Sequence, residues 1–186
     1  MLNIESIGER FTKIVNSSEW NDLQQKYNNC DDIYVLGHGG NMGVADHTAV
    51  DMTRLSNGTK NAICPGSCIV ATSLINDTSF DQWMVEWLKH RTSTRTRRQL
   101  QRSLVYGISS SGKSKDVINA LKWASNIGMK TSLITSKAVA DHINIKGLTQ
   151  VVLGADYYHN KGKFWMHAYA NTGEEGLENI VTQTNL

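Results

Sequence analysis

The chain has a single proline and three cysteines in 186 residues, and it holds no apolar run long enough to span a bilayer. With so little proline, no internal repeat and no low-complexity stretch, a jointed or fibrous design is excluded. What is left is one globular domain whose 40% hydrophobic content fills a core. The odd cysteine count (Cys30, Cys64 and Cys68) argues against a disulfide framework and fits reduced thiols. Cys64 and Cys68 form a lone CxxxC without a second pair, which reads as small buried side chains ahead of two metal ligands. Residues 1–30 are polar and amphipathic and lack the apolar centre of a signal peptide, so the expectation is a cytoplasmic protein.

Charge is nearly balanced, at +2 overall, but it is unevenly placed. Residues 89–102 hold six of the nineteen basic side chains and no acid, which makes one basic segment on a mildly acidic body. Arg91, Arg95, Arg98 and Arg102 share a face if that segment is one helix. Such a run reads as a solvated face or a partner contact rather than as a grip on nucleic acid.

What is present is two strand-to-helix turns of the phosphate-holding kind. The stretch VYGISSSGKS at 105–114 is an apolar run ending in a turn rich in serine and glycine. After it, Val117, Ile118, Leu121, Ala124 and Ile127 recur at helical spacing up to Gly128. The hydroxyls of Ser109, Ser110, Ser111 and Ser114 offer donors to phosphate oxygens, and the free N–H groups of the following helix face the same anion. The spacing is not GxxxxGK[ST], so this is no Walker loop, and a capped turn without ligand is the plain alternative. Upstream, IYVLG at 33–37 runs into GHGGNMG at 37–43 ahead of a helix. The dinucleotide fingerprint needs glycine where Met42 stands, which argues against a nucleotide cofactor.

The periodicities predict helices over 4–27 (interrupted near 16–18), 43–55, 80–90, 112–127 and 175–183. They predict strands over 33–37, 67–71, 103–108, 131–135 and 150–153, with a loop at 76–79. Strands alternating with helices imply an α/β fold with a doubly wound, mainly parallel five-stranded sheet flanked by helices. Residues 1–30 form a helical lead-in, 31–154 the core and 155–186 a separate C-terminal segment. The stripe Ile4, Ile7, Phe11 and Ile14 suits either a subunit interface or the protein's own sheet.

From about 31 to 137 the chain resembles a sugar isomerase (SIS) domain, and within that group it is similar to phosphoheptose isomerases. The resemblance rests on GHGG at 37–40, HTAVD at 47–51, Asn76-Asp77 with Phe80 behind it, and GISSSGKS at 107–114. It implies a sugar-phosphate site made of His38, Gly39, Gly40, Asn41, Asn76, Asp77, Ser109, Ser110, Ser111 and Ser114. The turn usually reads Gly-Asn-Gly-Gly-Ser, so His38 stands for an asparagine and Asn41 for a serine. The helix that follows carries a histidine and a glutamate in the family, both zinc ligands, and the glutamate is the proposed base. This implies His47 and Asp51 as catalytic pair and metal ligands, the acid here being one methylene shorter.

The activity so implied is aldose–ketose isomerisation of sedoheptulose 7-phosphate through an enediol, feeding surface-polysaccharide synthesis, in a homo-oligomer. The family's terminal Gln-x7-His is missing, and His159 and His167 are the substitutes at hand for a second acid or base. The alternative is a domain that keeps the phosphate pocket without catalysis and serves as a sensor or assembly subunit.

Overall fold

The computed structural model describes residues 4–136 and 143–154, with side chains from residue 8 onward. Helices α1 (Ile4–Val15) and α2 (Ser18–Asn28) lead into strand β1 (Asp32–Gly37). There follow α3 (Gly40–Leu55), β2 (Asn61–Ile63), α4 (Cys68–Asp77), α5 (Trp83–Thr92), α6 (Arg97–Gln101), β3 (Ser103–Ile108), α7 (Lys115–Asn126), β4 (Lys130–Thr135) and β5 (Leu148–Val152). The five strands are all parallel, in the order β2-β1-β3-β4-β5. This is the doubly wound sheet expected from the alternation of elements.

Side chains alternate across the strands, so each face of the sheet gathers its own core. Ile33, Val35, Leu104 and Tyr106 meet Trp20, Leu23 and Tyr27 of α2 and Ala45, Ala49 and Met52 of α3 on one face. Tyr34, Leu36, Val105 and Leu133 meet Trp83, Trp87 and Leu88 of α5 and Val117 and Leu121 of α7 on the other. Each aliphatic side chain buried this way contributes about 2 kcal/mol. From the N-terminal stripe, Ile14 joins the first core and Phe11 is half-buried. At the start of the sheet, Lys60 Nζ ties α2 down by donating to the carbonyls of Tyr27 at 3.0 Å, Asn28 at 3.0 Å and Cys30 at 2.6 Å. Burial pushes the Cys30 thiol up to about 12.

The break expected near 16–18 is real, with Ser17 accepting the Trp20 N–H as cap of α2. Two expectations about secondary structure are corrected. The strand expected at 67–71 is the first part of α4, and the edge strand is β2, which follows a left-handed Asn57-Gly58 turn and pairs with β1. Ile69 and Val70 are β-branched, but sheet pairing outweighs that propensity: the edge is already filled by Asn61–Ile63. Asn76 and Asp77, expected in a loop, are the last two residues of α4.

The basic segment is not one helical face. α5 stops at Thr92, and a capping box at Thr96 and Gln99 starts α6 afresh. Its charges are largely paired: Lys89 with Glu86, Arg95 with Asp32, Arg102 with Asp31, and Arg91 over the Trp87 ring. Cys64 is half-buried but Cys68 is exposed, so the two do not read alike as buried side chains. No helix among the described residues is long and apolar enough to cross a membrane.

Candidate active site

The chain leaves β1 towards β2 on one side and returns to β3 on the other, so the ends of β1 and β3 form the switch point of the sheet. There the two helices depart to opposite faces and leave a crevice, the usual ligand position in open α/β sheets. Gly37 lies opposite Ile108, which sets the glycine turn and the serine turn side by side. Asn41 spans them, its buried amide Nδ2 lying 3.5 Å from Ser110 Oγ. Its Oδ1 is buried without a partner among the described residues. The convergence anticipated from the two motifs is therefore present.

The serine turn is held from within. Gly112 adopts a left-handed φ of 63° and donates to Ser109 O at 3.0 Å, and Ser109 Oγ meets Ser114 Oγ at 2.9 Å. From the β4 end, Ser136 anchors the turn through Oγ to Ser110 O at 2.6 Å. Ser109 and Ser110 are buried, Ser114 is half-buried, and Ser111 is exposed and accepts the Lys113 N–H. Ser114 precedes α7 without a side-chain bond into the helix, which leaves its hydroxyl on the turn side. In the glycine turn, Gly39 has φ 61° and ψ −127°, a region reserved for glycine, and the carbonyls of His38 and Gly39 take the N–H groups of Asn41 and Met42.

His38 does more than occupy a turn. Its Nδ1 is 3.2 Å from Oδ2 of Asp116, which is fully buried in the first turn of α7. Trp83 Nε1 donates to the same oxygen at 3.2 Å, and the Val117 N–H to Oδ1 at 2.9 Å. The imidazole stands edge-on to Phe80, with ring centroids 4.8 Å apart. Asn76 and Asp77 lie just before this contact, exposed and hydrogen-bonded to each other at 3.2 Å.

The structure does not bring Asp51 to these turns. It is on α3 eleven residues beyond Gly40, about 16 Å further along the axis at the helical rise. Nearby Thr53 bonds Ala62, the residue opposite Ile33 near the start of β1. Asp51 is nonetheless buried, with Oδ2 at 3.1 Å from His47 Nε2 and Oδ1 at 3.3 Å from Arg54 Nη2. Among the described residues no three His, Cys, Asp or Glu side chains converge to hold a metal, and His47 with Asp51 makes a pair. His159 and His167 lie outside the described residues. Asp116, Trp83 and Arg54 escaped the sequence reading. An acid in the first turn after the serines is visible in the sequence, but its partner comes from a different strand.

No family model matches the chain, and no curated protein does. Solved structures do. Phosphoheptose isomerase GmhA from Neisseria gonorrhoeae is similar with a TM-score of 0.65 at 21% identity, over 89% of this chain and 88% of that one. A phosphoheptose isomerase from Francisella tularensis is similar with a TM-score of 0.68 at 16% identity, over 97% and 94%. The chain thus has the SIS fold of the phosphoheptose isomerases.

Proposed function

We propose that the protein is a sugar-phosphate isomerase. The observation that carries this reading is the pair of turns at the switch point, bridged by Asn41 and Ser110, which sets the serine turn beside the glycine turn. A phosphate held there leaves the sugar to run along α3 towards Asp51. The separation favours a long chain, since side chains on α3 lean back towards its N-terminus but do not close three helical turns. That suits a seven-carbon sugar such as sedoheptulose 7-phosphate better than a short one.

In this proposal Asp51 takes the proton from the carbon beside the carbonyl and returns it to the neighbouring carbon through an enediol. His47 and Arg54, both already at its carboxylate, stabilise the oxyanion. Purified protein incubated with sedoheptulose 7-phosphate, with and without added zinc, is expected to form the aldose, and Ser109→Ala with Ser111→Ala to weaken sugar-phosphate binding at least about tenfold, one or two charge-assisted hydrogen bonds' worth. Unchanged affinity in the double variant removes the phosphate assignment. Self-association belongs to the same reading, with Val50 on α3 and Ile69 on α4 left exposed at 59% and 75%. Sedimentation is expected to give a dimer or larger, and an active monomer strikes that part out.

One observation favours a second reading, a sugar-phosphate sensor. The Asp51 carboxylate is buried and engaged by His47 and Arg54 rather than open to a substrate. A raised melting temperature with sugar phosphate, but no isomerisation under either zinc condition, decides for the sensor.

A further inference from the structure

We infer that His38 is a proton donor to the ring oxygen of the bound sugar and that Asp116 is its positioning residue; this rests on the isomerase reading. Sugar phosphates of this length exist as rings, and proton transfer at carbons 1 and 2 requires the open chain. A phosphate on the terminal carbon places the ring oxygen within one or two carbons of the anion, while carbons 1 and 2 lie towards Asp51. His38 sits at the phosphate end, in the turn that flanks the serines.

Its orientation is set by the fold. Nδ1 is committed to a carboxylate with no solvent exposure, so Nε2, the opposite ring atom, points away from Asp116. Asp116 cannot turn to another partner, because Trp83 Nε1 and the Val117 N–H hold its two oxygens, and Phe80 braces the imidazole edge-on. Charges on the elements against His38 include Lys115, tied to Asp81 at 3.3 Å, exposed Lys113 in the serine turn, exposed Asp77 at the end of α4, and Glu86 of α5, paired with Lys89. The glycine turn itself adds none.

In the step, Nε2–H gives its proton to the ring oxygen as the bond from that oxygen to the anomeric carbon breaks. The electron pair of the anomeric O–H becomes the second carbonyl bond, and its proton passes to water. The imidazole, 42% exposed, is recharged from solvent.

Ring opening is measurable apart from isomerisation, as exchange between the cyclic anomers of sedoheptulose 7-phosphate followed by exchange NMR. The protein is expected to accelerate this exchange, and Asp51→Asn to keep it while losing isomerisation. His38→Asn is expected to lower it about a hundredfold or more while the sugar still raises the melting temperature. Asp116→Asn is expected to lower the exchange rate about tenfold or more while the sugar still raises the melting temperature, since an amide in place of the carboxylate no longer fixes the ring through Nδ1 with Nε2 as the donor. Wild-type exchange in His38→Asn, or a protein that binds the sugar without accelerating exchange, overturns the inference. Accelerated exchange without isomerisation overturns the isomerase reading instead. Should His38→Asn fail to fold, wild-type exchange in Asp116→Asn is the overturning result.

Discussion

Asp51→Asn is expected to slow aldose formation from sedoheptulose 7-phosphate by about a hundredfold to ten-thousandfold, the range that a positioned acid–base group supplies. The change keeps the shape of a side chain that is 2% exposed and removes the charge that His47 and Arg54 address at 3.1 Å and 3.3 Å. The loss should fall on kcat, because Asp51 is three helical turns from the phosphate-holding turns and adds little to ground-state binding. Thermal unfolding separates this from misfolding. The two pairings, each to a half-exposed partner, are worth about 1–2 kcal/mol together, which moves the melting temperature of a domain this size by about 2–8 °C. A variant that isomerises at the wild-type rate would falsify the assignment of Asp51 as the base.

Gly37→Ala is expected to damage fold and site together. A Cβ built on Gly37 runs into the backbone carbonyl of Asn41 and comes within 3.0 Å of the Met42 nitrogen, so the first turn of α3 must move off the end of β1. Backbone cannot yield as a flexible side chain does, and the cost is about 3 kcal/mol, near the upper end for overpacking. That corresponds to a fall in melting temperature of roughly 6–12 °C. Moving α3 also breaks the Asn41–Ser110 link, so phosphate binding should be lost even well below the melting point. Gly43→Ala, one turn further along the same helix, is the control: nothing lies within 4 Å of its Cβ. Alanine there should stabilise by about 0.5–1 kcal/mol. Equal melting temperatures for Gly37→Ala and wild type would show that the turn is free to shift.

Much of this architecture is legible along the chain because each strand-turn-helix unit is local. The run from Val105 to Ser114 carries its strand and its turn in consecutive residues; β3 forms where the spacing puts it, and α7 starts at Lys115, three residues later than expected. The same holds for β1 and α3, although α3 begins three residues sooner than expected, since Gly39 supplies the backbone conformation that starts it. Legibility fails where pairing decides. Residues 67–71 have strand composition and fold as helix because Asn61–Ile63 occupies the edge beside β1. The arginines at 91, 95, 98 and 102 suggest one face only if the helix is continuous, and the Thr96 cap interrupts it.

The site divides along the same line. Ser109, Ser110, Ser111 and Ser114, like Gly39 and Gly40, stand out by type and spacing as the proposed anion cradle, because such a cradle is made of neighbouring hydroxyls and amides on a single turn. Their meeting in one crevice depends on β1 lying next to β3, a contact between distant parts of the chain that no local pattern encodes. The Asp116 carboxylate beneath His38 and the burial of Asp51 are products of the same long-range packing. Hydrogen-bonding capacity belongs to residue type and can be read directly, whereas partners and desolvation exist only once helices have closed on both faces of the sheet.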